Sequence, residues 1–310
     1  MSSAVEAIRV HAGRAAPGTL LTGLIGTGIG PSLSPPLHEA EARRLGLELG
    51  YARFDLDDHG VPATAVGPML AAARDAGYRG LNITHPCKQV VLGHLDELSP
   101  DAAALAAVNT VVFRDGRSIG HNTDWSGFAS GLRTGLPDAP LGSVVVLGAG
   151  GAGAAVAYGL LTAGTARIHV FDLDTGRARE LAATLAGRFG TGRAAAGTDL
   201  SAAVGAADGF VHATPTGMAA HPGLPLPAEL LRPGLWVAEV VYRPLETELV
   251  RAARAVGARV LDGGRMAVFQ AAEAFRLFTG AEPDAGRMLR HLAVLTGNPP
   301  LERQPADVLD

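Results

Sequence analysis

Lys88 is the one lysine among 26 basic residues, and the other 25 are arginine. It closes the stretch Asn82-Ile-Thr-His-Pro-Cys-Lys88, directly after a short apolar run. Arginine stays protonated at any working pH, whereas the amine of a partly buried lysine can lose its proton and serve as a base. A chain that uses arginine wherever a cation suffices therefore marks Lys88 as a candidate for proton transfer. The competing reading is a single lysine on a solvated face.

Neutral hydrogen-bonding residues gather around it in sequence. Ser32-Leu-Ser34-Pro-Pro follows one predicted strand, Asn82 to Lys88 another, and Asn109-Thr110 with His121-Asn122-Thr123-Asp124 flank a third region. Ligands of α/β proteins bind beyond the carboxyl ends of strands, where these groups fall. Hydroxyls and amides suit a polyhydroxylated ligand. Taken singly, each residue type is commonest in turns and helix caps.

A second kind of chemistry is written in Gly148-Ala149-Gly150-Gly151-Ala152-Gly153, a G-x-G-x-x-G turn between a predicted strand and a predicted helix. The glycines permit a tight turn, close approach of the backbone to a pyrophosphate, and close helix packing, while the helix N-terminus supplies N–H donors. Asp172 follows 24 residues after Gly148, at the end of the next predicted strand. A carboxylate there accepts from adenosine-ribose hydroxyls and repels a 2′-phosphate, which favours NAD over NADP. Arg177, close by, pulls the other way. Asp174 reads as the cap of a helix starting near Thr175.

The elements that must position these groups alternate. Leu20–Gly26, Tyr51–Leu56, Gly80–Thr84 and Val108–Phe113 read as strands, and Pro35–Leu45 and Ala63–Ala76 as helices. A second series runs through strands Ser143–Leu147, Arg167–Phe171, Phe210–Ala213 and Trp236–Val241, with helices at 154–163, 175–188 and 266–279. Alternation of this kind predicts an α/β protein with largely parallel sheets. The expected division is a loosely ordered extension over 1–18, an N-terminal α/β substrate domain over 19–123, and a Rossmann-type dinucleotide-binding domain over 124–265. The final helices, 266–310, are expected to return to the first domain.

Bulk properties narrow the partners. The chain has 310 residues, 47% hydrophobic and 18% charged, which predicts packed domains and excludes global disorder. A formal net charge of -4 with no basic stripe argues against nucleic acid. No apolar run approaches the ~18 residues of a membrane span, and the N-terminus lacks a signal-peptide core, so a cytoplasmic address is expected. Cys87 is the one cysteine, so no intrachain disulfide forms. The ten histidines show no metal-ligand spacing, and no metal is expected. Monomer and homodimer both remain open.

Together the motifs resemble the shikimate/quinate dehydrogenase family over roughly Leu20 to Met288. The matching stretches are Ser32-Leu-Ser34-Pro, Asn82–Lys88, Ala107-Val-Asn-Thr-Val111, His121-Asn-Thr-Asp124, the glycine turn, Ala213-Thr-Pro-Thr-Gly-Met218 and Gly264-Arg-Met-Ala-Val-Phe-Gln270. The resemblance implies that Lys88 and Asp124 form the catalytic pair. It implies that Ser32 and Ser34 hold the substrate carboxylate, with Thr84, Asn109, Asp124 and Gln270 around the hydroxylated ring. It assigns Asp172 and Arg177 to the adenosine ribose, as in the NAD-using branch, and Thr214, Tyr242 and Gly263 to the cofactor as well. The implied reaction is reversible oxidation of shikimate or quinate to the 3-dehydro product. An NADP-dependent biosynthetic enzyme and a non-catalytic NAD-binding sensor are the alternatives. Cys87 departs from the family pattern, standing where an aromatic residue is common.

Overall fold

The computed structural model describes residues 2–297. The chain forms two compact units, one running through Thr123 and including Ala271–Leu295, the other Asp124–Gln270. The division therefore falls inside the helix Gly263–Thr279, at 270/271 instead of 265/266. Of the C-terminal segment expected to return to the first domain, 298–310 lie outside the described residues.

In the first unit six strands are ordered β2-β1-β3-β5-β6-β4: β1 (Leu20–Gly26), β2 (Leu49–Asp55), β3 (Gly80–Ile83), β4 (Glu97–Leu98), β5 (Thr110–Arg114) and β6 (Arg117–His121). β1 is parallel to both neighbours, with Ile25 opposite Phe54 and Ile83. Its apolar run is covered on both faces, the usual state of a central parallel strand. The sheet is mixed, however, because β5 runs antiparallel to β3 and to β6. Asp115 and Gly116, both with positive φ (52° and 77°), turn the chain back between them. Asp-Gly is a strong hairpin signal of just this conformation, and it corrects the expectation of a largely parallel sheet here.

The N-terminal extension is also corrected. Ser3–Arg14 is a helix capped by the Ser2 hydroxyl, which accepts from the Val5 N–H, and Ala4, Val5 and Ile8 are buried. Tyr78 holds it down: its hydroxyl donates to the Ile8 carbonyl at 3.3 Å and lies 2.6 Å from His11 Nδ1. The apolar stripe is three residues wide, and the surface it packs on comes from far along the chain.

The second unit agrees with the parallel expectation throughout. Its order is β12-β11-β10-β7-β8-β9, from β7 (Ser143–Leu147), β8 (Arg167–Phe171), β9 (Ala194–Ala196), β10 (Gly209–His212), β11 (Trp236–Glu239) and β12 (Val260–Leu261). Every pairing is parallel. Val144, Val145, Val146, Phe210, Val211 and Val237 are inaccessible to solvent, so the central strands are sealed on both faces. Strand order reverses between β7 and β10, and a crevice at that point is where such sheets bind ligands. Among the described residues no helix is long and apolar enough to cross a membrane.

Candidate active site

The residues of the first unit expected to bind substrate gather at the carboxyl ends of β1 and β3. Thr84 follows β3 and donates its N–H to the Ile25 carbonyl at 2.9 Å, while Thr27 donates to the His85 carbonyl. A Cβ on Gly26 would fall 2.3 Å from the Thr84 methyl, so glycine alone lets the two loops meet there. Ser32 and Ser34 are half-buried, with their hydroxyls 3.3 Å apart, and Ser34 opens the helix Ser34–Arg44, where no side chain caps the terminus. The Ser34 N–H already goes to the Ser32 oxygen and Pro35 and Pro36 carry no N–H, so the two adjacent hydroxyls, with the helix dipole behind them, are what this helix start offers a carboxylate.

Lys88 is half-buried in the single turn Cys87–Val90, and its carbonyl accepts the Val108 N–H at 2.9 Å. Cys87 beside it points into the core, where burial pushes the thiol up to about 11. That makes it an inert packing residue. Asn109, next to Val108, is buried in a polar network. Its Oδ1 accepts from the Thr123 N–H and the Thr110 hydroxyl, and its Nδ2 donates to the Thr123 hydroxyl. Asn82 extends the network, donating to Thr110 and accepting from the Tyr51 hydroxyl at 2.7 Å. Tyr51 carries no sequence signal of this role, because its partner Asn82 comes from another strand. His121 is shifted to lower pKa chiefly by burial.

Asp124 and Gln270 belong to the second unit. Asp124 is buried in the first turn of the helix Thr123–Gly135, where the helix dipole favours a carboxylate. One turn on, Gly127 packs against Gln270: a Cβ there would lie 2.6 Å from the Gln270 nitrogen. The helices carrying Asp124 and Gln270 thus run in close contact. Gln270 Nε2 itself donates to the Ala267 carbonyl at 3.0 Å.

The glycine turn leaves β7 as its motif requires. Gly148 has φ +113°, and its missing Cβ would fall 2.6 Å from the Ala213 carbonyl. A Cβ on Gly153 would sit 1.9 Å from the Gly148 carbonyl, so the helix Gly151–Thr162 starts flush on the strand. Gly150 and Gly151, by contrast, have nothing within 4 Å of a Cβ position, and no side chain caps the helix. Open space in front of uncapped N–H groups fits a pyrophosphate. Ala149 and Ala152 fall between these glycines.

Asp172 stands at the carboxyl end of β8 and accepts the Ala149 N–H at 2.7 Å, so the acid braces the turn. Its other oxygen accepts from Asp174 N–H at 2.8 Å. Asp174 caps the next helix, accepting from the Gly176 and Arg177 N–H groups. Arg177 is exposed and paired with Asp174 at 3.3 Å. Thr214 packs its methyl beside Gly148, and Gly263 lies against the Val241 carbonyl next to half-buried Tyr242. Burial raises the Tyr242 pKa.

Comparison with known proteins identifies the family. Residues 24–111 match the shikimate dehydrogenase substrate binding domain, and 264–292 the shikimate 5′-dehydrogenase C-terminal domain. A shikimate dehydrogenase (NADP(+)) of Streptomyces avermitilis is 64% identical over 279 residues, covering 89% of this chain and 96% of that one. The chain belongs to the shikimate dehydrogenase family. Another family member, a quinate/shikimate dehydrogenase (NAD(+)) of Corynebacterium glutamicum, is 50% identical, with 87% and 96% covered. A solved quinate dehydrogenase from Corynebacterium glutamicum in complex with NAD superposes with a TM-score of 0.84 at 48% identity, covering 89% of this chain and 99% of that one. The family's members are oxidoreductases acting on a CH–OH group, with a pyridine nucleotide as cofactor.

Proposed function

We propose that this family member reversibly oxidises the ring hydroxyl of shikimate, and of quinate, to the 3-dehydro product, with NAD as the preferred nucleotide. A dinucleotide with its pyrophosphate at the glycine turn would supply hydride chemistry through its nicotinamide. The chain's own residues do the rest. Ser32 and Ser34 hold the substrate carboxylate, and Thr84, Asn109 and Gln270 orient the ring. Lys88 takes the hydroxyl proton during oxidation and returns it in reduction, and Asp124 hydrogen-bonds the substrate hydroxyl. A base in this role contributes about 10²- to 10⁴-fold in rate.

The observation that carries the NAD preference is Asp172. Its carboxylate is fixed by Ala149 and Asp174 N–H groups at the strand end, where an adenosine ribose sits in such sheets. It would face a 2′-phosphate with like charge, and Arg177, a cation close by in sequence, is paired with Asp174. NADP remains the second reading because the Streptomyces avermitilis relative, at 64% identity, is named for it. Initial rates with shikimate and quinate, each against NAD and NADP, test the proposal. Higher kcat/KM with NADP overturns the cofactor assignment, and no turnover with any pairing overturns the enzyme.

A further inference from the structure

The second unit contains a buried polar pair that no sequence motif marked, joined to Thr214 of the 213–218 stretch. His212 ends β10 and Glu239 ends β11, directly opposite each other in register. Both side chains are fully buried, with His212 Nδ1 2.9 Å from Glu239 Oε1. Burying such a pair is costly, and apolar residues would fill the same space with less penalty. Its retention calls for something that it orders.

Hydrogen-bond direction shows what that is. The Val241 N–H donates to Glu239 Oε1 and the Thr247 hydroxyl to Oε2, each at 3.0 Å. The Thr247 oxygen accepts from the Val250 N–H, which leaves its proton for Glu239. With Glu239 as a carboxylate both its oxygens accept, and a His212 ring carrying one proton then holds it on Nδ1. Nε2 is then an acceptor, 2.5 Å from Thr214 Oγ1, so the Thr214 hydroxyl proton turns inward to the ring. One Thr214 lone pair accepts the Thr216 N–H. The other lone pair is an acceptor, and it is the methyl of this side chain, not the hydroxyl, that packs against Gly148 of the glycine turn.

The geometry points to His212 as a positioning residue. Held by Glu239, it fixes Thr214 as a hydrogen-bond acceptor toward the bound dinucleotide, one that takes a ribose hydroxyl or amide N–H and not a phosphate oxygen. This rests on the glycine turn holding a dinucleotide, and the test separates the two. Nucleotide Kd is measured by calorimetry with NAD and no substrate, for H212N, T214V, T214S and the H212N/T214V double variant. Asparagine keeps a donor for Glu239 but cannot reach Thr214.

H212N and T214V should each raise Kd by up to about tenfold, the worth of one hydrogen bond, while T214S stays near wild type. In the double variant H212N should add nothing to T214V, since His212 acts only through that hydroxyl. Imidazole ¹⁵N NMR of the wild type should show His212 protonated on Nδ1. Additive effects, an unchanged Kd in H212N, or a proton on Nε2 alone overturn the inference. If H212N fails to fold, equal Kd values for T214V and T214S overturn it instead. Wild-type protein that binds neither NAD nor NADP defeats the cofactor reading itself, and this inference with it.

Discussion

Asn109 holds Thr123 at two points: its Oδ1 accepts the Thr123 backbone N–H at 2.7 Å, and its Nδ2 donates to the Thr123 hydroxyl at 2.9 Å. Asp124 is the next residue along. The N–H of Val108, just before Asn109, bonds the Lys88 carbonyl. One short segment therefore fixes the backbone at Lys88 and immediately before Asp124, the two residues given the proton chemistry. Asn109→Ala would leave a buried N–H without its acceptor, at a cost of about 1–3 kcal/mol. The substrate-free protein should melt earlier, and kcat should fall more than substrate KM rises. An unchanged melting temperature with only KM affected would mean that Asn109 serves the substrate alone.

Lys88→Arg keeps the positive charge and denies the neutral amine. Turnover should drop by about 10²- to 10⁴-fold, the usual contribution of general acid–base catalysis. The Kd for nucleotide should hold, because Lys88 belongs to the unit without the glycine turn. Near-wild-type kcat in this variant removes Lys88 from the mechanism.

Much of this arrangement was legible in the chain. Buried parallel strands are continuous apolar runs, so Val144–Val146 and the glycine turn after them announce themselves locally. Asp174 as a cap and Asp172 at a strand end follow from spacing alone. What escaped depends on partners far apart in sequence. The N-terminal helix is held by Tyr78, and Asn109 is committed to Thr123. His212 is a single residue in an apolar strand until β11 lies beside it with Glu239. The antiparallel hairpin at Asp115-Gly116 was a local signal that alternation of strands and helices overrode.

Asp172→Asn keeps an acceptor for the Ala149 N–H, gives up the one that the Asp174 N–H uses, and removes the charge that would repel a 2′-phosphate. The NAD-over-NADP ratio of kcat/KM should fall by about tenfold or more, the effect of one like-charge contact of about 1.4 kcal/mol. Steady-state kinetics with both nucleotides checks it. An unaltered ratio would place nucleotide choice elsewhere.

Gly127→Ala tests the contact that brings the Asp124 helix to the Gln270 helix. The added methyl would stand 2.6 Å from the Gln270 nitrogen, whereas at Gly131 the nearest atom, Arg265 Cβ, is 3.4 Å away. Backbone cannot yield as a flexible side chain can, so Gly127→Ala should destabilise by about 1–3 kcal/mol. Gly131→Ala should be close to neutral, since alanine also favours the helix. Urea unfolding of both variants decides it, and equal stabilities would mean that the two helices do not need this approach.

His38 gives the fold a defined acid sensitivity. Its ring is fully buried beside Tyr51, at a centroid distance of 4.8 Å, with Phe275 and Phe278 around it. Among the described residues neither nitrogen has a hydrogen-bond partner. Burial alone pushes its pKa from 6.5 down to about 3. The folded protein therefore keeps His38 neutral while the unfolded chain takes up a proton below 6.5, so stability drains away as pH falls from there toward 3. The slope for one such proton is about 1.4 kcal/mol per pH unit. His38→Phe removes the proton and fills the aromatic pocket. Between neutral pH and about pH 5 the wild type should lose up to about 2 kcal/mol more than this variant, read from urea midpoints at the two pH values. Parallel pH dependence of the two proteins would mean that the ring finds a partner or solvent in the folded state.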